Sequence, residues 1–143
     1  MNRSQIREQI FKLLFRVEFN KVDDMPEQVE LFMESPTTYK DEDEIKEISF
    51  SEQEEEYILN KYNDIMSNIS EIDTIIDSNA KGWTKDRLGK VELTILRLAI
   101  YEIKFDDDIP VSVAIDQAVE LSKRFGRDES YAFINGILAS VAK

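Results

Sequence analysis

The chain has 143 residues, with 18 basic and 30 acidic side chains and a formal net charge of −12. It contains no cysteine and no histidine, which removes disulfides, thiolate nucleophiles, imidazole bases and the usual ligands of structural zinc. No apolar run approaches the roughly 20 residues that a membrane span needs, and the start MNRSQIREQI lacks the apolar core of a secretory signal, so a soluble cytoplasmic protein is expected.

The first helix is predicted over residues 4–20, with Ile6, Ile10, Leu13, Leu14 and Val17 repeating at i, i+3/i+4 as its core stripe. A short second helix follows over 26–34, with Val29, Phe32 and Met33 inward. The run SPTTYKDEDEIKEIS (35–49) is polar and acidic and reads as a loop with a helical turn near 42–48. No β-hairpin signal stands out. Ser51 and Glu54 have capping-box spacing and open a helix over 52–68, with Tyr57, Ile58, Tyr62, Ile65 and Ile69 inward. Ser70 with Asp73 opens a fourth helix to about 78, and Thr84 begins the approach to the fifth.

From Leu88 to Phe105 the apolar residues nearly encircle a helix, the pattern of the central helix of a bundle. Arg97 and Tyr101, four apart, are placed to stack. Asp106, Asp107 and Asp108 precede a helix start and are explained by turn chemistry and the helix dipole, so no metal site is assigned. Pro110 suits the first turn of the next helix, which runs through Val111, Ala114, Ile115, Ala118, Val119, Ser122 and Phe125. Gly126 is expected to end it in a left-handed conformation, and Asp128 to cap the last helix, whose buried stripe is Ile134, Ile137, Leu138 and Val141. Within that helix, Gly136 costs about 1 kcal/mol relative to alanine, which points to close helix–helix approach there. The class is all-α: about seven helices in two small packed bundles, over about 1–80 and 81–143.

Charge is unevenly placed. Residues 1–21 hold five bases and two acids, residues 22–79 three bases and eighteen acids, and residues 80–143 ten of each. Beyond about 8 Å, charges are largely screened at physiological salt, so a local basic patch can bind a nucleic acid on an acidic body. Arg3 and Arg7 share a face of the first helix, and Phe11 and Phe15 continue it. Cations and rings together are what single-stranded RNA requires, for phosphates and unpaired bases respectively. From the residues alone, two phenylalanines at helical spacing read more readily as core than as an RNA surface, with ordinary surface arginines beside them.

Four pieces occur in order along the C-terminal half: LRLAIYE (96–102), DIPVSVAIDQAVELSKRFG (108–126), DES (128–130) and FING (133–136). Together with the basic opening RSQIREQIFKLLFRVEF (3–19), they resemble the NusB family of transcription antitermination factors. The resemblance implies an all-helical NusB-like fold and binding of boxA-type single-stranded RNA together with NusE, a small-subunit ribosomal protein. It further implies action in the RNA polymerase antitermination complex during ribosomal RNA transcription, with no catalytic step and no cofactor. Arg7, Phe15 and Phe133 are the RNA-binding residues it implies, Arg7 and Phe15 by direct correspondence with the family's basic and aromatic positions, while Arg3 supplements Arg7 and Lys85 adds a further cation to the expected RNA-binding set. Ala132 stands where the family has a basic residue before Phe133. Lys81 and Lys90 extend the same basic set.

Two other readings differ in class. One is a helical protein–protein adaptor or homodimer with little intrinsic RNA binding, consistent with the charge of −12. The other is a detached relative of the NusB-like domain of ribosomal RNA cytosine methyltransferases. That enzyme class needs an α/β cofactor domain and catalytic cysteines, and this chain has neither.

Overall fold

The computed structural model describes residues 1–35, 37–41, 44–80, 82 and 88–143. The described chain forms α1 (Arg3–Phe15), α2 (Met25–Glu34), a hairpin of β1 (Thr37–Asp41) and β2 (Glu44–Ile48), α3 (Glu52–Ser67), α4 (Ile69–Asn79), α5 (Lys90–Lys104), α6 (Val111–Phe125) and α7 (Ser130–Val141). Two 3-10 turns, Arg16–Glu18 and Val22–Asp24, link α1 to α2. The expected positions of Thr84, Lys81 and Lys85 lie outside the described residues. Two compact units result, Met1–Asn63 and Asp64–Lys143, so α4 groups with the C-terminal helices.

In the first unit, α1 is opened by a capping box at Asn2 and Gln5. The Asn2 side chain accepts from Gln5 N at 2.8 Å, and Gln5 Oε1 accepts from Asn2 N at 2.9 Å. These bonds satisfy two amide donors that a helix start leaves open. Ile6, Ile10, Leu13 and Leu14 are buried as the periodicity predicts, but so are Arg7, Glu8, Gln9 and Phe11. Midway along α1 the burial therefore extends around the helix rather than along one stripe, and Lys12 pairs with Glu8 at 3.2 Å. The Arg16 guanidinium donates to the Gln28 carbonyl at 3.3 Å and lies 5.3 Å from the Phe32 ring, which joins the end of α1 to α2. Phe32 in turn stacks on Phe50. Of the residues expected inward on α2, Phe32 is buried while Val29 and Met33 are half-buried.

The hairpin is a correction to the expected acidic loop. Thr37 pairs with Ile48, Tyr39 with Lys46 and Asp41 with Glu44 in antiparallel register. Its strands carry β-favouring Thr37, Thr38, Tyr39, Ile45 and Ile48, which the surrounding carboxylates obscure in a composition-led reading. The Ser51–Glu54 capping box forms as expected, with bonds of 3.2 and 2.9 Å. Glu54 also accepts from the Met1 ammonium at 2.8 Å. That ammonium, followed by the Ser51 bonds, holds the Glu54 carboxyl below its ordinary pKa. Tyr57, expected inward, is exposed, while Ile58, Tyr62 and Ile65 are buried.

In the second unit α5 is central, packing on α4, α6 and α7. Thr94, Ile95, Leu96, Leu98, Ala99, Ile100 and Tyr101 are all buried, as the encircling apolar pattern requires. Arg97 makes a two-pronged ion pair with Asp73 at 2.9 and 3.0 Å, and the Tyr101 hydroxyl donates to Asp64. Both members of the expected Arg97–Tyr101 pair thus have carboxylate partners on neighbouring helices. They also take Asp73 away from the expected cap; Asn68 holds the N-cap position of α4. The Asp108 amide donates to Asp106 Oδ1 at 3.1 Å, the expected turn chemistry.

Two glycine expectations are corrected. Gly126 has φ −89° and ψ −178°, extended rather than left-handed. A side chain is excluded there for a different reason: a Cβ would meet the Ser122 carbonyl oxygen at 2.8 Å and Ser130 Cβ at 3.1 Å. At Gly136 a Cβ would meet nothing within 4 Å among the described residues, so none of the described helices approaches it closely. Asp128 does not cap α7 either. Glu129 holds the N-cap position without a side-chain bond, and the Ser130 hydroxyl accepts from Arg127 N at 3.1 Å.

Candidate nucleic-acid interface

Arg3, Arg7 and Phe15 all lie on α1, in the first unit. Arg3 is exposed at the first turn, where free amide N–H groups and the helix dipole favour anions. Arg7, one turn on, is only 8% exposed. The expectation of an open surface cation at that position is therefore corrected. The spacing put it on the same face as Arg3, but that face is covered by the time the helix reaches Arg7.

Phe15 is half-buried within a row of three rings. Phe11 stacks on Phe15 at 6.0 Å between centroids, and Phe15 meets Phe19 edge-on at 5.0 Å. Phe11 is 3% exposed and Phe19 is 59% exposed, so the row runs from core to solvent with Phe15 between. Edge and offset ring pairs of this kind favour each other beyond their area burial. Phe19 is a candidate that the residue-by-residue reading passed over. Its signal was present, since it continues the Phe11–Phe15 spacing by another four residues.

Phe133 lies on α7 in the second unit. Ile134 is fully buried and Phe133 half-buried, the division expected of neighbours that cannot share one buried face. Lys85 falls outside the described residues, and Lys90 is exposed at the start of α5. Beside Phe133, the exposed residues Tyr131, Ala132 and Asn135 face an open groove of about 670 Å³ whose other wall is Asp116, Val119, Glu120 and Lys123 of α6. The Lys123 ammonium sits 5.5 Å from the centre of the Tyr131 ring, and Tyr131 is 45% exposed. Sequence spacing within one helix gives no sign of this pair, because it forms across two.

The words RFG and DES have a structural explanation. Glu92, buried in the first turn of α5, accepts from the Ser130 hydroxyl at 2.6 Å and from Arg127 Nε at 3.5 Å. Burial alone pushes the Glu92 carboxyl up, but the bonds from Ser130 and backbone amides, with the Arg127 charge, outweigh it and leave the pKa lowered. Gly89 and Gly126 give this cluster room: a Cβ on Gly89 would meet Glu92 Oε2 at 2.5 Å. A buried carboxylate is tolerable only with such partners, so these residues fasten the start of α7 to the start of α5. Among the described residues, no group of carboxylates is arranged to hold a metal ion. No helix there is long and apolar enough to cross a membrane.

Known proteins match the chain along its length. Transcription antitermination protein NusB of Agathobacter rectalis is 47% identical over 142 residues, covering 99% of this chain and all of that one. The solved NusB structure from T. maritima superposes with a TM-score of 0.79 at 34% identity, over 99% of this chain and 91% of that one. A chain from the crystal structure of antitermination factors NusB and NusE with double-stranded RNA superposes with a TM-score of 0.71. At 24% identity, over 98% of this chain and 95% of that one, this is a likeness of fold. With these full-length matches and a family match spanning residues 4–143, the chain belongs to the NusB family.

Proposed function

We propose that this chain is a non-catalytic, RNA-binding transcription antitermination factor. With NusE, it holds boxA-type single-stranded RNA in the RNA polymerase antitermination complex during ribosomal RNA transcription in the cytoplasm. The observation that carries this reading is the full-length match to relatives named as transcription antitermination proteins. The fold is also shared with a chain from a solved complex of NusB, NusE and RNA.

The proposed RNA contacts divide by chemistry. Arg3 takes a phosphate from its exposed place in the first turn of α1, and Lys85 adds a second cation. Arg7, largely buried, contributes field and positioning more than an open guanidinium. Phe15 and Phe133, both half-buried, leave part of a ring for an unpaired base, and Phe19 extends the first of these surfaces. A small patch on an acidic body neutralises few phosphates, so affinity is low alone and rises when NusE supplies further contacts.

The adaptor or homodimer reading is favoured by the burial of Arg7 together with the charge of −12. Titrating boxA-type RNA with and without NusE, across a salt series, separates the two. Binding that tightens with NusE and follows a slope near −0.7 per neutralised phosphate, for about two to four phosphates, is expected. Equal affinity for boxA and scrambled RNA with NusE present would move the adaptor reading ahead.

A further inference from the structure

The groove between α6 and α7 has a composition that phosphate binding does not explain. Asp116, Glu120 and Lys123 are spaced four and three apart and so share one face of α6, and all three are exposed. Tyr131 and Asn135 share the facing side of α7, one turn apart. Lys123 meets Tyr131 at one end. One helical turn away, about 5.4 Å, lies Glu120, and a further turn away lies Asp116. The groove is thus cationic and aromatic at one end and carboxylate-lined at the other. A phosphodiester backbone running along it would meet two carboxylates. A protein surface that merely tracks RNA would not be built this way.

We propose that this groove binds a single unpaired guanine nucleotide. Its base stacks on Tyr131, its phosphate pairs with Lys123, and its Watson–Crick edge turns toward Glu120. An ionised carboxylate only accepts hydrogen bonds, through two oxygens side by side. Guanine offers two adjacent donors, N1–H and the N2 amino group, that fit both oxygens at once. Uracil has one donor between two acceptors, which a carboxylate repels, while cytosine and adenine offer a single amino group. Asn135, with donor and acceptor on one amide, is placed to complete the base contact. Asp116 keeps the next phosphate out, so the site holds one nucleotide. As a site on boxA-type RNA this rests on the proposed function; as a nucleotide site it stands on the groove's own chemistry.

The test is a nuclear magnetic resonance titration of the whole chain with guanosine, inosine and uridine 5′-monophosphates. GMP is expected to shift the amides of Tyr131, Ala132 and Asn135. IMP, which lacks the N2 amino group, and UMP should bind about tenfold more weakly, the scale of one lost paired contact. Glu120→Gln should abolish the preference for GMP over IMP, and Tyr131→Ala should weaken all three. Both side chains are exposed, so circular dichroism should show both variants folded. In parallel, single-stranded RNA with guanines replaced by inosine should bind the parent more weakly than the guanine form, and Glu120→Gln should bind the two alike. Identical groove shifts with GMP and UMP, or none at all, would overturn the site. If RNA binds with inosine and guanine alike while the groove amides stay unmoved, the groove falls and the antitermination reading stands. If RNA fails to bind but GMP shifts the groove, the reverse holds.

Discussion

Arg3 and Arg7 stand one turn apart on α1 in different surroundings, and that difference separates binding from folding. Arg3→Ala should change stability by about 0.5 kcal/mol or less, as exposed residues away from special features do. Under the proposed function it should flatten the salt dependence of RNA binding by roughly 0.7, one phosphate's worth. Arg7→Ala, at a buried polar position, should cost about 1–3 kcal/mol of folding stability. Urea unfolding of both variants, beside their RNA salt slopes, checks the contrast. An Arg7→Ala variant as stable as Arg3→Ala would return Arg7 to the surface. The i, i+4 spacing made the shared face legible in the sequence. That the second arginine is covered was not legible in the helical spacing.

The helices of the fold were legible because each carries its period and several carry their punctuation. Pro110 stands at the N-cap of α6, the Ser51–Glu54 box opens α3, and the all-round apolar run became the central α5. The hairpin was not legible, because a stretch as rich in carboxylates as 41–47 looks like an acidic loop. The glycines were found but explained wrongly, since Gly126 is needed for space and Gly136 is not needed for packing. This reversal gives opposite outcomes for one substitution. Gly126→Ala should destabilise, with its Cβ forced against the Ser122 carbonyl. Gly136→Ala, exposed within α7, should gain about 1 kcal/mol from helix propensity. Thermal melts of the pair decide it, and a destabilised Gly136→Ala would mean that α7 has a constraint the packing does not reveal.

Across the whole molecule, an acidic chain depends on a few carboxylates held ionised. Glu92 and Glu54 both have folded-state pKa values lowered from 4.5. A lowered carboxylate pKa stabilises the fold fully above the unfolded value and loses that contribution as pH falls through the folded value. Stability should therefore be steady from neutral pH to about 4.5 and decline below it. Urea midpoints measured between pH 7 and 3 test this. The decline should be shallower in Glu92→Gln, which has no carboxylate to protonate at that position. An unchanged acid limb would remove Glu92 from the account. The −12 charge was readable at once; which carboxylates matter depended on partners 35 and 38 residues away.

That separation also bears on the order of folding. In the second unit α4 packs on α5, α5 on α6 and α6 on α7, so most contacts join helices adjacent in sequence, the topology of rapid folders. The Glu92–Ser130 bond spans 38 residues and gains its energy only after α5, α6 and α7 are aligned. A bond of that span is expected to close behind the rate-limiting step. Ser130→Ala should then leave the folding limb of a chevron plot nearly unmoved and speed the escape from the native state, with a φ-value near zero. The serine of the DES word would govern how long the folded protein lasts rather than how quickly it forms.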